Sequence, residues 1–207
     1  MSNPSVTTAD GQASLEATLK GEILRMYEEV ATQPGGDFHF YVGREAAELF
    51  EYDPEVLDRA PREAVASFAG VGNPHLRSEL REGETVLDLG SGAGLDGIIA
   101  AWQVGPAGTV IGLDLNPAMC RRARANAGVS GTQLECREGR MEEIPLEDAS
   151  VDVVISNGVI NLSFQKRKVI QELFRVLRPG GRISITDIVS AKQLSQSIVN
   201  DPKLWAS

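Results

Sequence analysis

Residues 85–94, Thr-Val-Leu-Asp-Leu-Gly-Ser-Gly-Ala-Gly, constrain this chain more than any other stretch. An apolar run carrying one acid predicts a buried strand. Three glycines in G-x-G-x-G spacing predict a sharp turn with no side chain between the backbone and a bound molecule. A dinucleotide fingerprint, G-x-G-x-x-G, would need glycine at position 95, where Leu95 stands, so the pyrophosphate signature is broken. Asp88, two residues before Gly90, repels a pyrophosphate and favours a ligand bearing an ammonium group.

Thr109–Asp114 reads as a second apolar strand ending in an acid, 20 positions beyond Gly94. A carboxylate there can accept two hydrogen bonds from vicinal ribose hydroxyls. Asp88, the glycine turn and Asp114 together describe a pocket for a nucleoside that carries an amino acid and no phosphate. An NAD-dependent oxidoreductase is the reading that Asp88 and Leu95 disfavour.

After Gly83 the pattern alternates strand and helix: strands near 84–89, 109–114, 133–137, 151–156 and 182–187, and helices near 95–103, 117–127 and 165–178. The strands are apolar almost throughout, which predicts a mostly parallel sheet with helices on both faces. Ahead of it, residues 1–13 lack periodicity and are expected to be a disordered tail. Leu15, Leu19, Ile23, Leu24, Tyr27 and Val30 then recur at helical spacing, with Ser14 as a candidate cap and Glu16 and Lys20 as an i, i+4 pair. A second helical piece near Gly43–Phe50 and a helix start at Asp53-Pro54 follow. Phe68–Pro74 reads as a glycine-bearing loop near a ligand or as a plain linker. The expected organisation is a helical cap at 14–80, a ligand-binding domain at 81–190 and a tail at 191–207.

Further blocks follow in order: Glu138-Gly139-Arg140-Met141-Glu142 after the third strand, Val151–Asn157 as the fourth, and Leu177-Arg178-Pro179-Gly180-Gly181 as a helix-to-strand turn. With the glycine loop, this series resembles the class I S-adenosylmethionine-dependent methyltransferases over about residues 81–190. The resemblance implies a Rossmann-like α/β fold and S-adenosyl-L-methionine as cofactor. It places the cofactor on Asp88, Gly90, Ser91, Gly92 and Gly94 of the loop and on Asp114 and Leu115 at the second strand. Met119, Gly139, Arg140, Met141 and Asn157 complete the set, with Met119 also reading as a core residue. The family's sheet normally has seven strands, closing in an antiparallel hairpin. About 20 residues follow Asp187, so the hairpin is expected to be missing through a shortened chain or a shortened family member. Ile183, Ile185 and Ile188 would then line an unpaired edge suited to a homo-oligomer.

Among 207 residues, 42% are hydrophobic and the net charge is −9, values suited to one globular domain and unfavourable to nonspecific nucleic-acid binding. No run of 18 apolar residues and no basic, apolar leader occurs, so neither a membrane partner nor secretion is expected and a cytoplasmic location follows. The two cysteines, Cys120 and Cys136, lack metal or disulfide spacing and read as buried reduced thiols, with no metal site.

Gly72-Asn73-Pro74, Ser156–Leu162 and Asn200–Trp205 place the resemblance nearest the arsenite methyltransferase-like branch, adjacent to the quinone C-methyltransferases. In the arsenic enzymes, thiolates bind the metalloid at positions that here hold Val71 and Gly158. Trivalent arsenic needs two or three converging thiolates, which argues for another small-molecule methyl acceptor. Arg140 stands where relatives place an acid facing the adenine amino group, and a guanidinium cannot accept that bond; it can instead turn to solvent against Glu142 or Glu143. On the acceptor side, Asn157 and Asn161 are candidates for hydrogen bonds to cofactor or acceptor, with a loop cap as the other role for Asn161. His39, Tyr41 and Arg44 are candidates for a lid, or for surface packing. The resemblance leaves two functions open: a small-molecule methyltransferase, and a protein that binds the cofactor without catalysing.

Overall fold

The structure, a computed structural model, describes residues 9–192, with side chains from residue 17 onward. Five parallel strands, β1 (Thr85–Leu89), β2 (Thr109–Asp114), β3 (Leu134–Glu138), β4 (Val151–Asn157) and β5 (Leu177–Thr186), form one sheet in the order β3-β2-β1-β4-β5. The order reverses between β1 and β4, which opens a crevice beyond the carboxyl ends of these strands.

Strand parity sorts the core into two layers. Val86, Val110, Val153 and Ile155 pack with Leu95, Ile98 and Ile99 of α6 (Leu95–Val104). Leu87, Leu89, Ile111, Leu113 and Val154 face the other way, onto Val169, Leu173 and Val176 of α8 (Lys166–Val176). Apolar residues therefore point both ways along β1, β2 and β4, as expected of strands covered on both sides. α7 (Pro117–Ser130) joins the α6 side through Ala127 and begins at an Asn116 cap whose Oδ1 accepts from the Ala118 and Met119 N–H groups.

The cap contains α1 (Ala9–Thr32), α2 (Arg44–Leu49), α3 (Pro54–Arg59), α4 (Arg62–Ala66) and α5 (His75–Ser78). α3 starts at Asp53-Pro54 as expected, with the Asp53 carboxylate accepting from Glu55 N. Asn116 also donates to Leu24 O at 2.8 Å, which ties α1 across the carboxyl end of β2.

Two expectations need correction. α1 begins at Ala9, so residues 9–13 are helical and Ser14 lies inside the helix instead of capping it. β5 begins at Leu177, and Leu177–Gly181 is an irregular start to the strand, with a register shift between Val151 and Val153 opposite it, where a plain turn was expected. Phe68–Pro74 is a loop, as expected, and the short helices α4 and α5 flank it within the cap. The remainder of the N-terminal tail, residues 193–207 with Asn200–Trp205, and any sixth or seventh strand there lie outside the described residues. Among the described residues β5 is an edge strand, with Ile183 half exposed, and no helix is long and apolar enough to cross a membrane. Cys120 and Cys136 are free, buried and packed with Ala123 between α7 and β3.

Candidate functional site

A cavity of about 380 Å³ lies at the carboxyl ends of β1, β2 and β4. Its floor is the glycine loop, where Gly90, Gly92 and Gly94 have φ of 76°, 52° and 90°. These are left-handed values that non-glycine residues adopt only at a cost. At Gly90 a side chain is also excluded by contact, since a Cβ would stand 2.6 Å from Val159 Cγ1. Four of the loop's N–H groups are used internally: Gly90 N and Ser91 N donate to Leu113 O, and Gly94 N donates to Ser91 O. Gly92 N donates to Asp114 Oδ2 at 2.8 Å. A phosphate cradle needs such groups free and pointing outward, so the loop is ill suited to a pyrophosphate.

Asp114, at the end of β2, lines the cavity with Leu115 and Asn116. Its Oδ1 accepts from Asn116 N at 2.8 Å, which fixes the carboxylate at the rim, and burial raises its pKa. Met119, buried to 2% exposure, forms the wall behind it, and Gly139, Arg140 and Met141 form the β3 side. Gly139 N donates to Asp114 O at 2.9 Å, and its missing side chain leaves room for Leu113, whose Cδ1 a Cβ would meet at 2.8 Å. Arg140 lines the cavity and is 45% exposed at its side chain, with Nε 3.5 Å from Glu142 Oε2, so the pairing is with Glu142. Glu142 Oε1 also accepts from Ser163 Oγ at 2.6 Å.

Asp88 does not line the cavity. Strand parity places it with Val86 on the α6 side, where it is 2% exposed and accepts from Ser91 Oγ at 2.7 Å and from Gly97 N. Burial first, and then the nearby Asp96 charge, push its pKa up to about 8. The residue read as an open carboxylate for an ammonium group instead braces the loop from beneath.

The acid that does reach the cavity beside the loop is Asp96, in the first turn of α6. Its Oδ1 accepts from Tyr52 OH at 2.5 Å and lies 3.2 Å from His75 Nε2, and its Oδ2 accepts from Asn157 Nδ2 at 3.1 Å. Burial, then Asp96, hold the Tyr52 phenol well above its usual range. Asn157 lines the cavity, but its amide is occupied by the protein: Oδ1 accepts from Val71 N and Thr186 Oγ1, and Nδ2 also donates to Gly72 O and Tyr52 OH. It clamps the 70–72 loop onto the end of β4.

The lid is also different from the one expected. His39, Tyr41 and Arg44 are absent from the cavity wall; Tyr41 is 67% exposed, and Arg44 pairs with Glu48 and Asp58 on the surface. α1 forms the roof instead, through Lys20, Ile23, Leu24 and Tyr27. Tyr27 stacks near Phe40, and burial pushes its phenol up to about 12. Asn161 is likewise outside the wall, with its N–H donating to Asp187 Oδ2 at 3.1 Å in the 3-10 turn Ile160–Leu162. The remaining wall is largely apolar, with Phe68, Val159, Leu162 and Phe164, and its charged members are Lys20, Arg140, Asp96, Asp114 and Glu142.

Positions 71 and 158 adjoin one another: a Cβ on Gly158 would lie 3.2 Å from Val71 Cγ1. Asp96 and Tyr52 escaped the sequence reading, and within the helical cap expected at 14–80 the helix that forms the roof was not singled out. Asp96 carried one usable signal, its place in the first turn of the helix that follows the glycine loop.

A family model described as "Methyltransferase domain" matches residues 80–207. The chain is 46% identical over 134 residues to an arsenite methyltransferase of Halobacterium salinarum, a match covering 64% of this chain and 34% of that protein. It is 37% identical over 114 residues to a ubiquinone/menaquinone biosynthesis C-methyltransferase of Salmonella arizonae, covering 53% of this chain and 45% of the other. The crystal structure of an arsenic(III) S-adenosylmethionine methyltransferase from Chlamydomonas reinhardtii superposes with a TM-score of 0.61 at 35% identity, covering 77% of this chain and 54% of that one. The chain thus spans between about a third and a half of the length of these relatives.

Proposed function

The chain belongs to the S-adenosylmethionine-dependent methyltransferases, and from that premise we propose that it transfers a methyl group from S-adenosyl-L-methionine to a small molecule other than trivalent arsenic. The observation that carries this reading is the cavity itself: a glycine-rich loop with four of its N–H groups bonded internally, beside a half-buried carboxylate at the end of β2. A nucleoside ribose fits that carboxylate and a phosphate does not fit that loop.

When bound, S-adenosyl-L-methionine supplies an activated methyl on a sulfonium, so the protein's task is to align and to exclude water. Asp114 would receive the ribose hydroxyls, and Leu115, Met119 and the 139–141 segment, which line the same cavity, would hold the adenine. α1 covers the cavity, and its Ile23, Leu24 and Tyr27 keep water out. Phe68, Val159 and Phe164 offer apolar surface to the acceptor. Val71 and Gly158 provide no thiolate for a soft metalloid.

Isothermal titration with S-adenosylhomocysteine tests cofactor binding. Mass spectrometry of products formed from thiols, phenols and quinols then tests transfer. Binding with a methylated product is expected; no binding would remove the proposal, and binding without any product would favour a cofactor-binding protein that does not catalyse.

A further inference from the structure

We propose that Asp96, and not the glycine-strand acid Asp88, is the carboxylate that receives the ammonium group of the cofactor's amino-acid arm, and that Tyr52, His75 and Asn157 hold it in place for that purpose. The assignment rests on the cofactor reading above and adds to it which residue reads the arm.

Sheet order gives the direction. With the ribose on Asp114 at β2, the glycine loop of β1 comes next and the end of β4 follows. An amino-acid arm laid across that loop toward β4 reaches the corner where Asp96 and Asn157 meet the cavity. The cavity's other acids lie away from that corner. Asp114 sits at the ribose end with both oxygens on loop N–H groups. Glu142 is on the β3 side, with one oxygen on Ser163 and the other facing Arg140. Asp88 lies below the loop, outside the wall.

Asp96 is also built as a fixed acceptor. A carboxylate offers about four lone-pair positions; Tyr52 OH, His75 Nε2 and Asn157 Nδ2 occupy three. Its remaining position belongs to a side chain that is 10% exposed and lines the cavity. His75 is oriented by the same contact: its Nδ1 is buried without a partner, and its Nε2 is the nitrogen turned to Asp96. Three partners drawn from the cap, α5 and β4 restrict the rotamer of one acid, and the bonds a floor residue would need for structure alone leave that acceptor position over.

Two probes that differ by the arm decide the matter: S-adenosylhomocysteine, which has the ammonium, and 5′-methylthioadenosine, which keeps the nucleoside and lacks the arm. In Asp96→Asn, S-adenosylhomocysteine is expected to bind between about tenfold and a hundredfold more weakly, with 5′-methylthioadenosine unchanged. Retained binding of the second probe reports a folded pocket. Should that variant fail to fold, Asp96→Ser, which keeps a hydroxyl acceptor for Tyr52, carries the same comparison. Unchanged S-adenosylhomocysteine affinity, or equal weakening of both probes, would overturn the assignment. Absence of S-adenosylhomocysteine binding in the unsubstituted protein would instead remove the cofactor reading, and the assignment with it.

Discussion

Asp88 should contribute a loss of stability as pH rises from about 5 to about 7. Its carboxyl is buried under the glycine loop, and burial together with Asp96 raises its pKa to about 8, whereas in the unfolded chain an aspartate titrates near about 3.9. Between those values the folded state holds a proton that the unfolded state has released, so unfolding is favoured as pH rises, by about 1.4 kcal/mol per pH unit. From pH 5 to pH 7 this group alone removes about 2 to 3 kcal/mol of stability. Asp88→Asn keeps an acceptor oxygen for Ser91 and Gly97 and cannot ionise, so it lacks this slope. The cost of the altered hydrogen bonds is nearly the same at both pH values and drops out of the difference. Urea unfolding followed by far-ultraviolet circular dichroism, at pH 5 and pH 7 for both proteins, measures it. The unsubstituted protein should lose about 2 to 3 kcal/mol more than the variant. Parallel pH dependence in the two would refute the reasoning and show that Asp88 is ionised in the folded protein.

Asp114→Ala removes the acceptor for two ribose hydroxyls and should weaken S-adenosylhomocysteine by about 2 kcal/mol or more, about thirtyfold, in isothermal titration. 5′-Methylthioadenosine should weaken with it, unlike the Asp96 case, because both probes carry the ribose. Gly90→Ala must hold φ at 76° and meet Val159. A cost of about 1–3 kcal/mol is expected, read as a fall in melting temperature of about 2–4 °C per kcal/mol. Arg175 donates to the carbonyls of Ile144 and Leu146 and to Glu172 and Asp148, tying the β3–β4 connection to α8. Arg175→Ala should cost about 2–3 kcal/mol by equilibrium unfolding, and Arg175→Lys should recover little, since one ammonium cannot reproduce the fork.

Much of this fold is written locally. The apolar strands, the glycine spacing and the caps at Asp53 and Asn116 are each set by residues within a few positions of one another. The helices α6, α7 and α8 accordingly fall within a few residues of their expected spans. Short elements fared worse: α4 and α5 make little periodic signal, and the strand that begins at Leu177 contains Pro179 and two glycines that read as a turn.

The site divides in the same way. Asp114, the glycine loop, Met119 and the 139–141 segment all reach the cavity wall, and sequence could bring them together because each sits at the end of a strand, in the turn that follows it or in the first turn of the next helix. The lid could not be placed this way. His39, Tyr41 and Arg44 have the chemistry of a cover, but the chain carries them to the surface. α1 lies over the cavity instead, because Asn116 holds Leu24 there across 92 positions of sequence.

What the sequence alone determined was the alternation of strand and helix, the position of the glycine turn and the acid at the end of β2, because strand pleat, glycine freedom and capping act between near neighbours. Only tertiary structure decided which acid faces the cavity. Asp88 and Asp96 are both near the loop in sequence, but the pleat turns Asp88 under α6, while contacts from Tyr52, His75 and Asn157 hold Asp96 at the wall. Those partners lie 44, 21 and 61 positions away, so their convergence exists only once the sheet has closed and the cap has docked.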